Sequence, residues 1–350
     1  MDFITIGDLH LKGTNGKGAL AKYFADSDAV VLREVYKILD IALQKAIQHV
    51  VFLGDVCSHW EMTDSGFQKL CRMFHKYPDL TFHLYPGNHD QRDEEDSDAQ
   101  VTSLDSLALL CKQGKFENVR VYLKPETTKI GKHKVRFLPY PSLDFDPDAL
   151  NFFHNDVYGA KGDNGRLNKS KDYKLSKKQK RAVAVGGHLH TNQVVGRKYF
   201  IGTCIQNYFG EGRKKFYGHV RWNGPDDYEV ESVRWSPKYR LHTCTVTSKK
   251  DLQKIPCSKY DLIKLVQPDG SLVTTADYPK GINIVETSPF KSRDLLQEEI
   301  ETDLKTGDEL TVDVDAFFDA WTANANLDPD ELKGMMKTKA RLIGVKERSK

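Results

Sequence analysis

The stretch Phe82-His83-Leu84-Tyr85-Pro86-Gly87-Asn88-His89-Asp90 joins a short apolar run to a cluster of polar side chains. Apolar runs of this length, bounded by Gly, predict buried β-strands. The chain repeats this arrangement three times, at Phe3–Ile6 before Asp8-Leu9-His10, Val50–Leu53 before Gly54-Asp55, and Ala182–Val185 before Gly187-His188-Leu189-His190. We therefore expect polar side chains at the carboxyl ends of four strands.

The residue types in these four clusters indicate a metal site. Ligand sites gather at the carboxyl edge of the strands in layered α/β sheets. Aspartate, asparagine and histidine without cysteine suit divalent manganese, iron or zinc, and a shared carboxylate suits two ions. A lone Asp-x-His or Gly-Asp occurs by chance in most chains of this size, so each cluster alone also fits a purely structural role. All four in this order, each after a strand, favour a metal centre.

The order Asp-x-His, Gly-Asp, Gly-Asn-His-Asp, Gly-His-x-His resembles the calcineurin-like metallophosphoesterase superfamily. Within it, Asp8-Leu9-His10-Leu11 resembles the opening of the SbcD-type double-strand-break repair nucleases. The stretch Ile201–Glu211, followed by Gly218, resembles the segment that closes their nuclease domain. Among these nucleases, the chain looks most like the recombination nuclease subunits of T-even-like phages. The resemblance covers roughly residues 1–235 well and the rest weakly.

The resemblance implies an α/β fold: a four-layer α/β/β/α sandwich with a small α+β capping domain and a C-terminal helical extension. It also implies two divalent metal ions, with Mn²⁺ expected and Mg²⁺, Fe²⁺ or Zn²⁺ as alternatives. Asp8, His10 and His190 would hold the first ion, Asn88, His154 and His188 the second, and Asp55 would bridge both. His154 matches a histidine that the family supplies from a strand between the third and fourth clusters; its rival is His133, in a Lys-rich turn.

The resemblance further implies hydrolysis of a phosphodiester. Two cations roughly 3.5–4 Å apart would neutralise charge on the phosphate oxygens and supply a metal-bound hydroxide that attacks phosphorus. His89 would face the phosphate as a proton donor or charge stabiliser for the leaving oxygen. Asp90 would hydrogen-bond the His89 ring and favour its protonated form. A residue that stabilises the turn is the alternative role of Asp90.

Two departures from the relatives bear on the activity. Many relatives place a histidine three residues after the bridging aspartate and link it to exonuclease action, whereas this chain has Ser58 there and His59 one residue later. Gly54–Cys57 also lacks the Asp-Arg-Gly of Ser/Thr phosphatases, which usually have Glu where Asp90 stands. With the first departure, the motifs support exonuclease action less strongly than they support the metal site, and the second departure counts against a protein phosphatase. The resemblance to SbcD-type nucleases implies a DNA exo/endonuclease. A small-molecule phosphodiesterase of the same fold is the alternative function.

Length and composition predict an intracellular enzyme. A chain of 350 residues, 39% of them hydrophobic, suggests two domains or a domain plus an extension. No apolar run approaches the about 20 residues of a membrane span, and the chain opens directly on a strand, which leaves no room for a signal peptide. The six cysteines are scattered without Cys-x-x-Cys. This indicates reduced thiols and a cytoplasmic location, in the bacterial host if the chain is phage-encoded.

The formal net charge of +3 is too small to indicate a nucleic-acid partner, so local clusters matter more. Seven basic residues and one acid lie between Lys169 and Arg181, and Arg213-Lys214-Lys215 forms a second cluster. Such clusters neutralise DNA phosphates, and the candidates for this role are Lys177, Lys178, Lys180, Arg213 and Lys214. A solvated surface is the alternative for each cluster. The acidic run Asp93–Asp98 predicts a solvated loop.

Hydrophobic periodicity predicts the elements between the clusters. Apolar residues at helical spacing predict helices around residues 31–46 and 67–74. Residues 1–90 should therefore form three strands joined by these two helices, with right-handed crossovers. A helix is expected at 103–110, strands at 119–123, 135–138, 151–154, 241–246, 260–266 and 282–285, and a hairpin from 217–222 and 228–235.

The character of the sequence changes near Ser236-Pro237. We expect a nuclease domain at 1–237, a capping domain at 238–290 and a helical partner-binding region at 291–350. Val314, Phe317, Phe318 and Trp321 share one face of a helix. The resemblance implies that such helices bind the coiled-coil base of an SbcC-type ATPase, and the chain has no P-loop to bind ATP itself. Folding back on the capping domain is the alternative. DNA and a second copy of the chain, as a homodimer, are the other expected partners.

Overall fold

Two six-stranded sheets dominate the structure, a computed structural model that describes residues 1–12, 19–92, 101–256, 258–268, 278 and 283–290. The first sheet contains, in spatial order, β12 (Asp227–Trp235), β11 (Lys215–Gly224), β1 (Asp2–Ile6), β2 (His49–Phe52), β3 (Thr81–Leu84) and β4 (Val119–Val121). Strands β1 to β4 run parallel, and the β11–β12 hairpin is added antiparallel beside β1.

Helices connect the parallel strands of the first sheet. They are α1 (Ala19–Tyr23) and α2 (Ser27–Gln44) before β2, α3 (Asp64–Lys76) before β3, and α4 (Asp105–Lys112) before β4. Asp26 caps α2 by accepting a hydrogen bond from the Ala29 N–H, and Thr63 caps α3 by accepting one from the Gly66 N–H. These caps fix the first residue of α2 and of α3. They therefore also set where the segments that lead from β1 and β2 into these helices end.

The second sheet contains, in spatial order, β5 (Glu126–Ile130), β6 (His133–Leu138), β7 (Leu150–Phe153), β8 (Ala184–Gly186), β10 (Lys198–Phe200) and β9 (Gln193–Val195). Strands β6, β7, β8 and β10 run parallel. A short 3₁₀ helix, Lys171–Tyr173, and α5 (Lys177–Arg181) precede β8.

The two sheets face each other across a core of fully buried side chains. Phe3 and Val51 of the first sheet meet Phe137, Phe152 and Val185 of the second. Helices α2 and α3 cover the other face of the first sheet. Because these strands are buried on both faces, their sequences read as continuous apolar runs. The mixed α/β class with largely parallel sheets is confirmed, and the four-layer order stays a prediction.

A third sheet lies in the predicted capping region. Its strands β13 (Arg240–Thr245), β14 (Asp261–Pro268) and β15 (Asn283–Phe290) are all parallel, and α6 (Lys249–Leu252) follows β13. A small core that includes Val246, Ile263 and Leu265 packs against it. The Gln206 side chain donates to the Leu241 carbonyl at 3.1 Å and accepts from its N–H at 2.9 Å. This pair of bonds ties β13 to the loop before β11.

Most predicted elements are present within two or three residues of their expected bounds. The fourth apolar run is shifted by one to two residues, because Ala182 is the C-cap of α5 and the strand runs from Ala184 to Gly186. Strands β5, β9 and β10 were not predicted. No helix in the described ranges is long and apolar enough to cross a membrane. The acidic run Asp93–Asp98 and the region 291–350, with Val314, Phe317, Phe318 and Trp321, lie outside the described residues.

Candidate metal centre

Five strands end at one edge, and a predicted metal ligand follows each of them. Asp8 and His10 follow β1, Asp55 follows β2, Asn88 follows β3, His154 follows β7, and His188 and His190 follow β8. The His154 Nδ1–H donates to the Leu53 carbonyl at 2.7 Å, so the carboxyl edges of the two sheets meet here. The parallel topology thus brings together side chains that are up to 180 residues apart in the sequence.

One group of donor atoms surrounds His10. Its Nε2 lies 3.1 Å from the Nε2 of His190 and 3.7 Å from the Oδ2 of Asp55. Asp8, His10 and His190 each place one ligand atom within 4.8 Å of the others. These are the three side chains predicted to hold the first ion.

A second group surrounds Asn88. Its Oδ1 lies 2.9 Å from the Nδ1 of His188 and 3.0 Å from the Nε2 of His154. The His154 Nε2 is also 3.3 Å from the Oδ2 of Asp55, so this oxygen lies between the two groups, where a bridging ligand is expected. The rival candidate, His133, begins β6 beside the β5–β6 turn and belongs to neither group.

The backbone of the site is strained at four of the predicted metal ligands. Asp8, His10, Asp55 and His188 have φ values of 44°, 49°, 45° and 77°, and they are four of the five non-glycine residues with positive φ in the described ranges. The left-handed region costs an L-residue roughly 1–2 kcal/mol. Such strain concentrates at functional sites, and here it turns the side chains that follow three different strands toward each other.

Glycines allow the ligand loops to approach closely. A Cβ on Gly87 would lie 2.2 Å from the Asp55 Oδ1, and one on Gly54 would lie 2.4 Å from the His154 Nδ1. Gly54 also has φ +82°. Any larger residue at these two positions would therefore push the Asp55 carboxylate or the His154 imidazole out of place.

Hydrogen bonds and burial determine the protonation of the site. Burial lowers the pKa of His10 to about 3, so this imidazole is neutral at physiological pH. Burial opposes ionisation of Asp55, but the charge of His154 and its hydrogen bond hold the pKa of this carboxyl below its usual range. Burial also disfavours a charge on His154, yet the Asp55 carboxylate raises the pKa of His154 to about 9. A cation beside the His154 Nε2 would replace the proton there.

The donor set fits divalent cations. In the described part of the chain, the buried Asp8 Oδ2 and His10 Nδ1 have no hydrogen-bond partner. The other oxygen of Asp8 accepts from the His188 N–H at 2.9 Å. Burial raises the pKa of Asp8, because a buried carboxylate oxygen is unfavourable unless it is paired, protonated or bound to a cation. Carboxylate, amide and imidazole donors together suit Mn²⁺, Fe²⁺ or Zn²⁺.

Comparison with known protein families agrees with this geometry. The model of the calcineurin-like phosphoesterases matches residues 1–192, which include every predicted metal ligand from Asp8 to His190. The chain belongs to the calcineurin-like phosphoesterase family. Membership implies a metal-dependent hydrolase of phosphoesters. A search of curated proteins found no match.

The structure corrects the predicted role of Asp90 in this phosphoesterase. Its fully buried carboxylate accepts four hydrogen bonds of 2.8–3.0 Å, from the backbone N–H groups of Val56, Cys57 and Gly87 and from the Ser103 hydroxyl. These donors use its four lone-pair positions, so none is left for the His89 ring. Asp90 instead joins the loop that contains Asp55 to the loop that contains Asn88.

Burial, together with the charge of Asp55, raises the pKa of Asp90 to about 7, and the hydrogen bonds from Gly87, Cys57 and Ser103 oppose this shift. Three of the four donors are backbone N–H groups, which cannot accept a hydrogen bond from a protonated carboxyl, and only the Ser103 hydroxyl could rotate to accept one. The hydrogen-bond geometry therefore fits the ionised carboxylate.

His89 lies at the exposed rim of the site. Its backbone N–H donates to the Asp55 Oδ1 at 2.9 Å, and its ring centroid is 5.0 Å from that of His10. One ring nitrogen is within 4.8 Å of the ligand atoms of His10 and Asp55. The side chain can therefore reach a phosphate at the metal centre from the solvent side.

Glu211, at the end of the segment Ile201–Glu211, holds one of the predicted metal ligands, a role that the motifs do not predict. Its Oε1 accepts from the His190 Nδ1–H at 3.1 Å, which leaves Nε2 of that imidazole facing the site. Its Oε2 accepts from the buried Lys215 ammonium at 2.5 Å. Burial works against its ionisation, but His190 and Lys215 lower the pKa of Glu211 to about 2. The only local sign was an acid between two glycines, Gly210 and Gly212.

The structure separates the two predicted basic clusters. Lys177, Lys178 and Lys180 are exposed on α5, which precedes β8 and so lies at the edge opposite the metal centre. Arg213 and Lys214 are exposed directly before β11, whose first residues lie beside the carboxyl end of β1. The second cluster is therefore on the same edge as the metal centre.

Proposed function

We propose that this phosphoesterase is a two-metal DNA nuclease, the nuclease subunit of an ATPase–nuclease complex that processes DNA ends in recombination and repair. The main support is Asp55, whose Oδ2 lies 3.7 Å from one imidazole of the first donor group and 3.3 Å from one of the second. The resemblance of Ile201–Glu211 to the closing segment of SbcD-type nucleases supports DNA as the substrate.

Two divalent cations held by these groups would neutralise the scissile phosphate and activate water for attack. The other steps belong to the chain itself. Glu211 keeps the His190 ring in one orientation, and Asp90 holds the two ligand loops together. His89 donates a ring proton to the leaving oxygen. His89→Ala is therefore expected to keep its metal and to cleave about 10²–10⁴-fold more slowly in single turnovers. Loss of metal would instead make His89 a ligand.

A nuclease assay with Mn²⁺ on single- and double-stranded DNA tests the proposal, with Mg²⁺, Fe²⁺ and Zn²⁺ compared in parallel. Asp55→Asn keeps the shape of the side chain but removes its charge, and it is expected to abolish cleavage while the protein stays folded. Asp79→Asn, at an exposed aspartate in the turn after α3, is the matched control. Cleavage by purified Asp55→Asn at the wild-type rate would contradict the proposal.

A small-molecule phosphodiesterase is the second candidate. Charge reversal at Arg213 and Lys214 separates the two, because it should weaken DNA binding and flatten its salt dependence. Hydrolysis of bis(p-nitrophenyl) phosphate should be unchanged. Reversal of Lys177, Lys178 and Lys180 measures what the cluster at the opposite edge contributes, and we expect a smaller effect. Hydrolysis of the small ester without any cleavage of DNA would favour the alternative.

The partner is proposed from the sequence. Residues 314–321 offer an apolar helical face to an SbcC-type ATPase. Truncation after about Asp308 is expected to leave Mn²⁺-dependent nuclease activity but to remove ATPase binding and ATP stimulation. Sedimentation of the full chain and of the truncated chain tests the proposed homodimer. Full-strength pull-down of the ATPase by the truncated chain would refute this role.

A further inference from the structure

A cavity of about 1200 Å³ adjoins the metal centre. Its lining includes Ser58, whose hydroxyl donates to the His10 carbonyl at 2.9 Å. It also includes Tyr208, whose ring is stacked on that of His190 with centroids 6.0 Å apart and planes 5° apart. Two walls of the cavity therefore belong to residues that touch predicted metal ligands. The cavity is large enough for a nucleotide, since ligand pockets typically measure about 300–1,000 Å³.

The cavity is lined in part by aromatic side chains, and two of its lining residues are held in place by the core. Met62 and Phe67 line it and pack against the main hydrophobic core, which fixes their positions. Trp60 is half-buried in the lining and belongs to none of the core clusters found among the described residues. The Arg92 guanidinium lies 4.9 Å from the centroid of the Trp60 ring. The indole lies outside these cores and Arg92 covers one of its faces, so a flat ligand would stack on the other face.

Lys12 contributes a buried ammonium group to the same cavity. The Lys12 Nζ is buried and has no hydrogen-bond partner among the described residues. It lies 5.0 Å from the centroid of the Tyr208 ring. A buried ammonium without an acceptor is unfavourable, and an anionic phosphate oxygen would supply one. Because Tyr208 contacts His190, this lysine is on the side of the cavity nearest the metal centre.

The remaining polar groups favour a base over a second phosphate. Glu61 and Asp64 line the cavity, and their carboxylates repel phosphate. The same carboxylates can accept hydrogen bonds from the exocyclic amino groups of bases. Aromatic rings beside cationic groups are how proteins hold the bases and backbone of single-stranded nucleic acid.

We propose that this cavity is a base-binding subsite, in which one unstacked base of the strand being cut stacks on Trp60 while Lys12 contacts a neighbouring phosphate. The inference rests on the proposed nuclease function and adds a substrate preference to it. A base reaches the cavity only after it leaves the helical stack, which costs a few kcal/mol in a duplex. Single-stranded or frayed ends are therefore preferred over blunt duplex ends.

The test is a scan of kcat/KM on single-stranded oligonucleotides that contain one abasic residue, moved stepwise past the cleavage site. In the wild-type enzyme, one position should lower kcat/KM by about 5- to 150-fold, the range for stacking one base on an aromatic ring. In Trp60→Ala this penalty should disappear, and in Trp60→Phe most of it should return. Quenching of tryptophan fluorescence by a thymidine oligonucleotide in EDTA should be lost in Trp60→Phe.

A neutral methylphosphonate linkage at the phosphate that Lys12 contacts should lower kcat/KM in the wild-type enzyme. Lys12→Met should remove this penalty. Tyr228→Ala is the matched aromatic control, because Tyr228 pairs with Trp222 at the opposite edge of the first sheet. Suppose the enzyme cleaves DNA but kcat/KM does not depend on the position of the abasic residue, or Trp60→Ala keeps the penalty. Either result would refute the base-binding subsite and leave the proposed nuclease function standing. If the wild-type enzyme does not cleave DNA under any metal, the proposed function falls and this inference with it.

Discussion

Replacement of Asp90 by asparagine tests how the ligand loops are held. The carboxylate Oδ2 accepts from the N–H groups of Val56 and Gly87, both at 3.0 Å. Oδ1 accepts from the Cys57 N–H at 2.8 Å and from the Ser103 hydroxyl at 2.9 Å. Asparagine keeps the shape of the side chain but offers one oxygen and one NH₂ group. At least one N–H of the loops must therefore face another donor.

The favoured orientation of the new amide can be worked out from these bonds. With its oxygen toward Val56 and Gly87, its NH₂ faces a hydroxyl that can rotate to accept and the Cys57 N–H, which cannot. One buried N–H left unsatisfied costs about 1–3 kcal/mol. The remaining bonds lose a charged acceptor, worth roughly 1 kcal/mol more per bond than a neutral one, but the folded state no longer has to bury the charge that raises the pKa of Asp90 to about 7. These two changes oppose each other, so the free energy of unfolding should fall mainly by the cost of the unsatisfied N–H, about 1–3 kcal/mol.

Urea denaturation followed by circular dichroism, with EDTA present, measures this change without a contribution from metal. Ser103→Ala is the control, because it removes one donor and leaves the carboxylate with three, so its effect should stay below about 1.5 kcal/mol. Metal affinity should also fall in Asp90→Asn, since the loops of Asp55 and Asn88 are held less firmly. Wild-type stability in Asp90→Asn would refute the assignment of Asp90 as the acceptor that joins the two loops.

Three further predictions follow from other contacts. Glu211→Gln is expected to lower metal affinity by about 10–100-fold, because the anionic partner of the His190 Nδ1–H is lost; titration with Mn²⁺ measures this. The pKa of Glu211 is lowered from 4.5 to about 2. The ionised Glu211 therefore stabilises the fold above pH 4.5, and this stabilisation is lost as the pH falls toward 2. In Glu211→Gln, this part of the acid-induced loss of stability should be absent. Lys198→Met should destabilise the fold by about 2–4 kcal/mol in thermal or urea unfolding, without change in metal binding, because the Lys198 ammonium donates to the carbonyls of Gln179 and Ala182 at the end of α5.

The positions of the ligands could be predicted because they depend on local sequence and simple topology. An apolar run predicts a strand, and the polar residue after it lies where the strand ends. Parallel strands then bring these ends to one edge, as they do for Asp8, Asp55 and Asn88. His154 was also placed correctly at a strand end, although only the family resemblance distinguished it from His133.

The partners of these side chains were harder to predict because they depend on contacts between distant loops. Asp90 was assigned to the neighbouring His89, but its donors Val56 and Cys57 lie 34 and 33 residues earlier in the chain. Glu211 binds a histidine 21 residues away. No periodicity or motif in one sequence marks such pairs, since each depends on the angle at which two loops leave different strands.

The strained ligand residues and the unpaired oxygen of Asp8 together explain why the surrounding bonds are so numerous. Four left-handed residues at roughly 1–2 kcal/mol each would relax if the loops were free. Asp90 prevents this for Asp55 by holding the two residues that follow it, and the Asp8 Oδ1 prevents it for His188 by accepting its N–H. The folded chain therefore keeps a partly unpaired donor set in place, and bound cations would convert that unfavourable arrangement into a stabilising one.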